Sequence, residues 1–415
     1  MNIFTAVFLT ALALSTCVRL WLAWRHARHV QTHRDRVPGA FADAISIEQH
    51  RKAADYTVAK TRLSYLHIAL ETTILLAFTL GGGLQWLDDS LRGVLNSDMA
   101  RNVVLIGAVM LISAALELPL DLYRKFGIEK HFGFNTLTPL GLVRDLLMQT
   151  ALGLALGLPL LFTVLWLMQA AGPLWWLYAW LVWVGFNLTL LALYPTFIAP
   201  LFNRFEPLEA GALKSRIEQL LHKCGFTAQG LFVMDGSKRS SHGNAYFTGF
   251  GKTKRIVLFD TLLKHLEADE VEAVLAHELG HFKRRHVIKR MMWVFAASLG
   301  FLWLLSWLMT QSWFFSGLNV QSQGIAMALV LFFLVLPAFT FLFQPLASLY
   351  SRKHEFEADN YAALQSEAHS LISALTKLYR DNAATLTPDP LYALFYDSHP
   401  GAQQRIARLQ AAAHN

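Results

Sequence analysis

The sequence predicts a mainly α-helical, polytopic membrane protein with a small α+β domain outside the bilayer, and three observations predict it. Of 415 residues, 54% are apolar and only 16% charged, against about a quarter charged in ordinary soluble proteins. Residues 146–203 and 291–351 are runs of 58 and 61 residues without one Asp, Glu, Lys or Arg. The remaining basic residues are lopsided: alternate loops (25–62, 121–145, 200–286 and the tail from 347) hold 31 Lys and Arg, and the opposite loops hold two, Arg92 and Arg101.

Residues 3–24, 63–87 and 102–120 supply the first three spans. Ala171-Gly172-Pro173 divides the first charge-free block into two more, and the polar stretch 311–323 divides the second block likewise. Each half is long enough to cross a hydrocarbon core that takes about 20 helical residues. That makes seven transmembrane helices. The first resembles a secretion signal only superficially, because no Lys or Arg precedes it whereas Arg19, Arg25 and Arg28 lie within or after it. A cleaved signal has the opposite polarity, so a retained span is expected, with its N-terminus outside and the C-terminus in the cytoplasm. The organisation is then 1–199 (spans one to five), 200–286 (a cytoplasmic insertion), 287–347 (spans six and seven) and 348–415 (a cytoplasmic helical tail).

The net charge of +7 needs no nucleic-acid partner; basic loops facing an anionic leaflet account for it. Cys17 and Cys224 are too few and too differently placed for a disulfide framework. Glu71, Glu117 and Asn187 are costly within spans, and either line a hydrated cavity or pair between helices. The tryptophans 175, 176, 180 and 183 read as interfacial and packing residues.

In the insertion, residues 213–224 have helical spacing. Segments 230–235, 244–250 and 255–260 are short and rich in aromatic or β-branched residues, which predicts a small sheet with a hairpin. A second helix is expected to begin at Asp269 with Glu272 completing a capping box, to run through His281, and to continue toward the sixth span at Val287.

That helix carries the chemistry. His277 and His281, four residues apart, lie one turn above each other, so both imidazoles can face one metal ion. Glu278 is rotated by roughly 100° and flanks the ion, where a general base for a metal-bound water belongs. H-E-x-x-H is the zinc-peptidase arrangement, and zinc needs a third protein ligand beside the open water position. His286 stands roughly 180° around the same helix and is expected to face away. The metzincin extension fails at Arg284 and Val287. A carboxylate from a later helix remains, and Ser351-Arg352-Lys353-His354-Glu355-Phe356-Glu357-Ala358-Asp359 offers candidates, Glu355 and Glu357 pointing to different sides of a helix.

H-E-x-x-H followed by S-R-x-x-E-F-x-A-D resembles the type I CAAX prenyl protease family of integral-membrane zinc endopeptidases. The likeness extends in order through Ile128-Glu129-Lys130-His131-Phe132-Gly133-Phe134-Asn135, the Tyr194-Pro195 to Pro200-Leu201-Phe202-Asn203 run, Asn244-Ala245-Tyr246-Phe247 and Ser398-His399-Pro400. The resemblance implies seven helices ringed around an intramembrane chamber that a one-zinc site closes on the cytoplasmic side. It implies Glu355 as the third zinc ligand and Asp359 as the carboxylate that orients a ligating histidine. It implies His399 as the stabiliser of the oxyanion; the residue read alone is equally a capping or core histidine. Asn244 becomes an active-site asparagine on a strand beside the cleft, or else an ordinary hairpin residue. The implied partners are membrane lipids and a peptide or protein substrate, prenylated near its C-terminus, at the inner membrane of a bacterium or the endoplasmic reticulum of a eukaryote.

Two other functions compete. A membrane-protein quality-control metalloprotease keeps the same chemistry with unprenylated substrates. A zinc transporter or sensor would place histidines and carboxylates in several spans, and these spans carry few. An intramembrane site-2-type protease is disfavoured, since Lys283, Arg284 and Arg285 follow the motif at once. Nothing in the sequence sets an oligomeric state.

Overall fold

The computed structural model describes residues 2–226, 230–248 and 254–413. Local chemistry starts the long helices where they begin. Asn2 caps α1 (Ile3–Thr32) by accepting the Thr5 N–H, and Ser46 with Gln49 forms a reciprocal capping box on α2 (Ile47–Phe78). Both devices satisfy N–H groups that a helix start leaves orphaned. After α2 comes a short helix, α3 (Gly83–Arg92), bent from it by 50°. The cause is Gly81-Gly82-Gly83: Gly82 has φ 78°, and a Cβ on either flanking glycine would lie 2.8 Å from the Ala77 carbonyl oxygen. Six helical runs can span a membrane unbroken, and the expected count of seven is reached with α2–α3 as one broken span.

Ser97 caps α4 (Asp98–Leu122), which runs on through a π-helical turn, Tyr123–Glu129. Thr138 caps α5 (Pro139–Ala170), with proline in its first turn. Then α6 (Trp175–Leu193) passes through a second π-helical turn, Tyr194–Ile198, into α7 (Ala199–Phe202). Only 6% of the most apolar stretch of Gly172–Phe202 is buried, and the same holds for His286–Leu308, against 50% for Ile325–Gln365. A helix packed into a solid bundle would bury a whole face; these form a wall exposed on both sides, as a ring around a chamber requires.

The soluble insertion follows. Strand β1 (Phe205–Pro207) precedes α8 (Ala212–Lys223), then come β2 (Gly230–Met234), β3 (Ala245–Thr248) and β4 (Arg255–Phe259). The sheet order is β1-β2-β4-β3, with β2 parallel to β4 and the β3–β4 and β1–β2 pairs antiparallel. The three expected strands are present, although residues 249–250 of the second lie outside the described ones. Strand β1 went unread because three residues ending in proline carry no alternation. One consequence of the order is that β3 is an edge strand.

After α9 (Asp260–His265) comes α10 (Ala268–Lys283), the helix of the H-E-x-x-H motif. Its capping box is Glu267 with Glu270, two residues ahead of the expected Asp269 and Glu272. Buried Glu270 also accepts from Ser373 Oγ (2.6 Å) and Lys377 Nζ (2.7 Å), while Glu272 pairs with Arg216. α10 does not run into the sixth span: Arg285 adopts φ 55°, and α11 (His286–Leu308) starts afresh.

The last part comprises α12 (Ser312–Gly317), α13 (Ile325–Thr340), α14 (Gln344–Gln365), α15 (Ala368–Asp381), α16 (Pro390–Tyr396) and α17 (Ala402–Ala413). A short 3-10 turn, Phe341–Phe343, joins α13 to α14, so residues 355–359 ride on the same helical run as the last span. Phe8, Leu84, Leu105, Leu165, Phe314 and Leu331 form the membrane core, and Ile217, Ile256, Leu258, Leu275, Leu371 and Leu409 the core of the soluble part. Among the polar residues of the spans, Glu71 pairs with Arg19 at 2.6 Å, and Asn187 donates to the Trp183 carbonyl. Trp180 Nε1 donates to the Phe295 carbonyl between α6 and α11, a packing role as expected.

Candidate metal centre

The centre is built where α10 crosses α14. Gly280, inside the H-E-x-x-H motif, lies so close to α14 that a Cβ would sit 2.9 Å from Ala358 Cα and 3.1 Å from the Ala358 carbonyl. Ala358 is flanked by Glu355 one turn before and Asp359 one residue after. The crossing therefore delivers both carboxylates to the two histidines.

His277 Nε2 and His281 Nε2 face each other at 3.2 Å. Glu355 reaches both, with Oε2 3.5 Å from His277 Nε2 and Oε1 3.4 Å from His281 Nε2. The three side chains can hold one metal ion. Two facts of the geometry call for a cation. The outer nitrogen of each ring is already engaged, His277 Nδ1 with Asp359 Oδ1 at 2.9 Å and His281 Nδ1 with His286 Nδ1 at 3.0 Å. And Glu355 Oε2 is buried with no hydrogen-bond partner, a costly state for a carboxylate oxygen.

Burial opposes a charge on His277, but Asp359 and Glu355 outweigh it and push its pKa up to about 9. Burial and the charge on His277 push His281 down to about 3. The Glu278 carboxyl makes no hydrogen bond or ion pair with any described residue, and burial raises it above the usual range. His399 approaches from the other side, exposed, with Nε2 3.4 Å from Glu355 Oε1 and Nδ1 2.9 Å from Ser398 Oγ. Asn244 makes no hydrogen bond to His277, His281 or Glu355. It stands at the head of β3, its side chain accepting the Ala245 N–H at 2.8 Å and its carbonyl accepting the Phe259 N–H.

The comparisons with known proteins agree along the whole chain. Residues 26–204 match the CAAX prenyl protease N-terminal family, described by five membrane helices, and residues 207–413 match peptidase family M48. A CAAX prenyl protease 1 homolog of Arabidopsis thaliana is 33% identical, covering 89% of each chain. The Homo sapiens homolog is 31% identical over 97% of this chain and 95% of its own. The crystal structure of Ste24p from S. mikatae superposes with a TM-score of 0.91 at 31% identity, covering 99% of both chains. The chain belongs to peptidase family M48. Within it, the membrane half and the curated relatives place it with the CAAX prenyl proteases, and it is an integral, multi-pass membrane metalloprotease.

Two supports of this M48 centre escaped the sequence reading. Arg405 of α17, almost wholly buried, clamps Asp359 through two bonds, Nε to Oδ2 at 2.9 Å and Nη2 to Oδ1 at 2.6 Å. No local pattern distinguishes it from the other tail arginines. Arg352 donates to the carbonyls of Ala393 and Asp397 and so fixes the chain entering Ser398-His399. Residues of the Ile128–Asn135 and Tyr194–Asn203 runs meet around a cavity of about 540 Å³ that none of His277, His281 and Glu355 lines, and there Arg239 bonds Asp145 and Asn203 at 2.8 Å.

Proposed function

We propose that this M48 peptidase is a zinc endopeptidase that cuts near the C-terminus of prenylated protein substrates on the cytoplasmic side of its membrane. His277, His281 and Glu355 hold the zinc. The observation that carries this is the spacing of the ligand atoms. A tetrahedral zinc with bonds of roughly 2.0–2.1 Å sets neighbouring ligand atoms about 3.3 Å apart; here the two imidazole nitrogens are 3.2 Å apart, and Glu355 faces each with a different carboxylate oxygen, Oε1 3.4 Å from His281 and Oε2 3.5 Å from His277, so that the three side chains converge on one point. Asp359 orients His277 through its Nδ1, the usual support of a ligating imidazole.

When bound, zinc supplies a Lewis acid for the scissile carbonyl and a water acidified to near neutrality. Glu278 takes the proton from the attacking water and passes it to the leaving nitrogen. His399 donates to the carbonyl oxygen as negative charge develops there, from its place beside Glu355. The free edge of β3, beginning beside Asn244, pairs with the extended substrate backbone and holds the scissile bond. The imbalance of 31 to two in Lys and Arg supports an external N-terminus and a cytoplasmic centre.

The test uses purified protein in detergent with a farnesylated C-terminal C-a-a-X peptide, its unprenylated twin, and E278Q as control, read by mass spectrometry. Loss of the last three residues from the lipidated peptide alone, abolished in E278Q, is expected. Equal cleavage of both would replace prenyl specificity by the quality-control reading, and no cleavage of either would remove both.

A further inference from the structure

Nine residues past His277 on an unbroken helix, His286 would point away from the metal. It does not, because the helix breaks. Arg284 ends α10, Arg285 takes a left-handed φ of 55°, and α11 begins at His286 itself. A non-glycine residue in that conformation persists only where its surroundings hold it there. The break swings the His286 ring back beneath His281, with the two Nδ1 atoms 3.0 Å apart. The other ring nitrogen, Nε2, lies 3.0 Å from Glu357 Oε2. The ring is buried and stacked on His354, centroids 3.9 Å apart and planes 9° from parallel. Glu357 was the rival third ligand; here it reaches past the metal centre to this second histidine.

The three links admit one arrangement of protons. If His281 offers Nε2 to a metal, its Nδ1 carries hydrogen and donates it to His286 Nδ1. His286 must then carry its own hydrogen on Nε2, which donates to the Glu357 carboxylate. Each group has one role, and the negative end of the chain anchors it. A metal-bound imidazole usually gives its second N–H directly to a carboxylate, carbonyl or water. His277 does so with Asp359. The geometry points to His286 and Glu357 as positioning residues for the second ligand, a carboxylate–histidine relay that fixes the tautomer and ring orientation of His281. The proposal rests on the zinc reading above, and deepens it: the two histidine ligands are braced by different means from opposite sides.

The experiment measures zinc affinity by competition with a chromogenic chelator, on the full-length protein in detergent. Three forms are compared: wild type, H286F, which keeps a flat ring against His354 but has no nitrogen, and E357A, whose side chain is 30% exposed and whose loss does not threaten folding. We expect H286F to bind zinc roughly 10–100-fold more weakly and E357A about tenfold more weakly. The visible spectrum of the cobalt-loaded protein shifts in H286F. A purely structural latch would lower thermal stability while leaving zinc affinity and the cobalt spectrum at wild-type values, and that result overturns the inference. Should H286F fail to fold, E357A decides alone, with unchanged affinity counting against the relay. Failure of the wild type to bind one zinc per chain would instead remove the zinc reading beneath it.

Discussion

Gly280 and Ala358 set the distance between the two helices that build the metal centre: a Cβ added at Gly280 would fall 2.9 Å from the Cα of Ala358. Backbone, not a flexible side-chain end, occupies that space, so α10 and α14 must part if the residue grows. Since His277 and His281 ride on one helix and Glu355 on the other, parting them lengthens the ligand separations directly. We expect G280A to cost about 1–3 kcal/mol of stability and G280V more. Both would lower zinc content in proportion, measured by thermal unfolding in detergent and metal analysis of the same sample.

Glu278 and His277 are neighbours in sequence, and the proposed mechanism gives them separable roles. H277A removes a ligand and is expected to purify without metal. E278Q keeps all three ligands and the shape of the side chain, and is expected to retain one zinc per chain while turnover falls by about 10²–10⁴-fold. Chelation of the wild type should abolish cleavage, and added zinc should restore it, whereas zinc added to E278Q should restore nothing. Full activity in E278Q would show that the base lies elsewhere.

What could be read in the sequence was what a single helix dictates. The pairing of His277 with His281 follows from residues four apart sharing a face, and the spans follow from lengths without charge; Glu355 and Asp359 took their roles from the family resemblance alone. Distances between elements carried no such mark. Nothing near Arg405 announces that it will clamp Asp359 from α17, and Ala358 looks like any helical alanine until Gly280 lies against it. The turn at Arg284-Arg285 contains neither glycine nor proline, so periodicity carried α10 straight through it and aimed His286 the wrong way. The glycine triplet at 81–83, by contrast, held the bend of the second span in plain view.

Asp359 and Arg405 form an ion pair almost wholly out of water, with side chains 2% and 7% exposed. Removing one partner leaves the other charge buried alone, at a cost of about 3–5 kcal/mol. D359A should therefore lose stability and, because His277 Nδ1 loses its acceptor, bind zinc roughly 10–100-fold more weakly. R405M should lose stability too, but with a smaller effect on zinc because Asp359 still reaches His277. A double variant, D359A with R405M, should recover part of the stability and none of the affinity, which unfolding curves and chelator competition read separately.

Arg352 stands one turn before Glu355, yet it serves the opposite wall of the site. Its guanidinium donates to the carbonyls of Ala393 and Asp397, the end of α16 and the start of the segment that presents Ser398 and His399. Without it the Asp397 carbonyl loses this donor, the Ala393 carbonyl keeps only the Asp397 N–H, and the His399 loop loses its side-chain anchor, while His277, His281 and Glu355 keep their contacts. R352A is therefore expected to copy H399A: zinc content and affinity as in wild type, and kcat lower, by roughly 10²–10³-fold for H399A and by less for R352A. The two losses should not add in the double variant, because one side chain acts through the other. Additive losses, or a loss of zinc from R352A, would mean that Arg352 holds α14 and not the segment that carries His399.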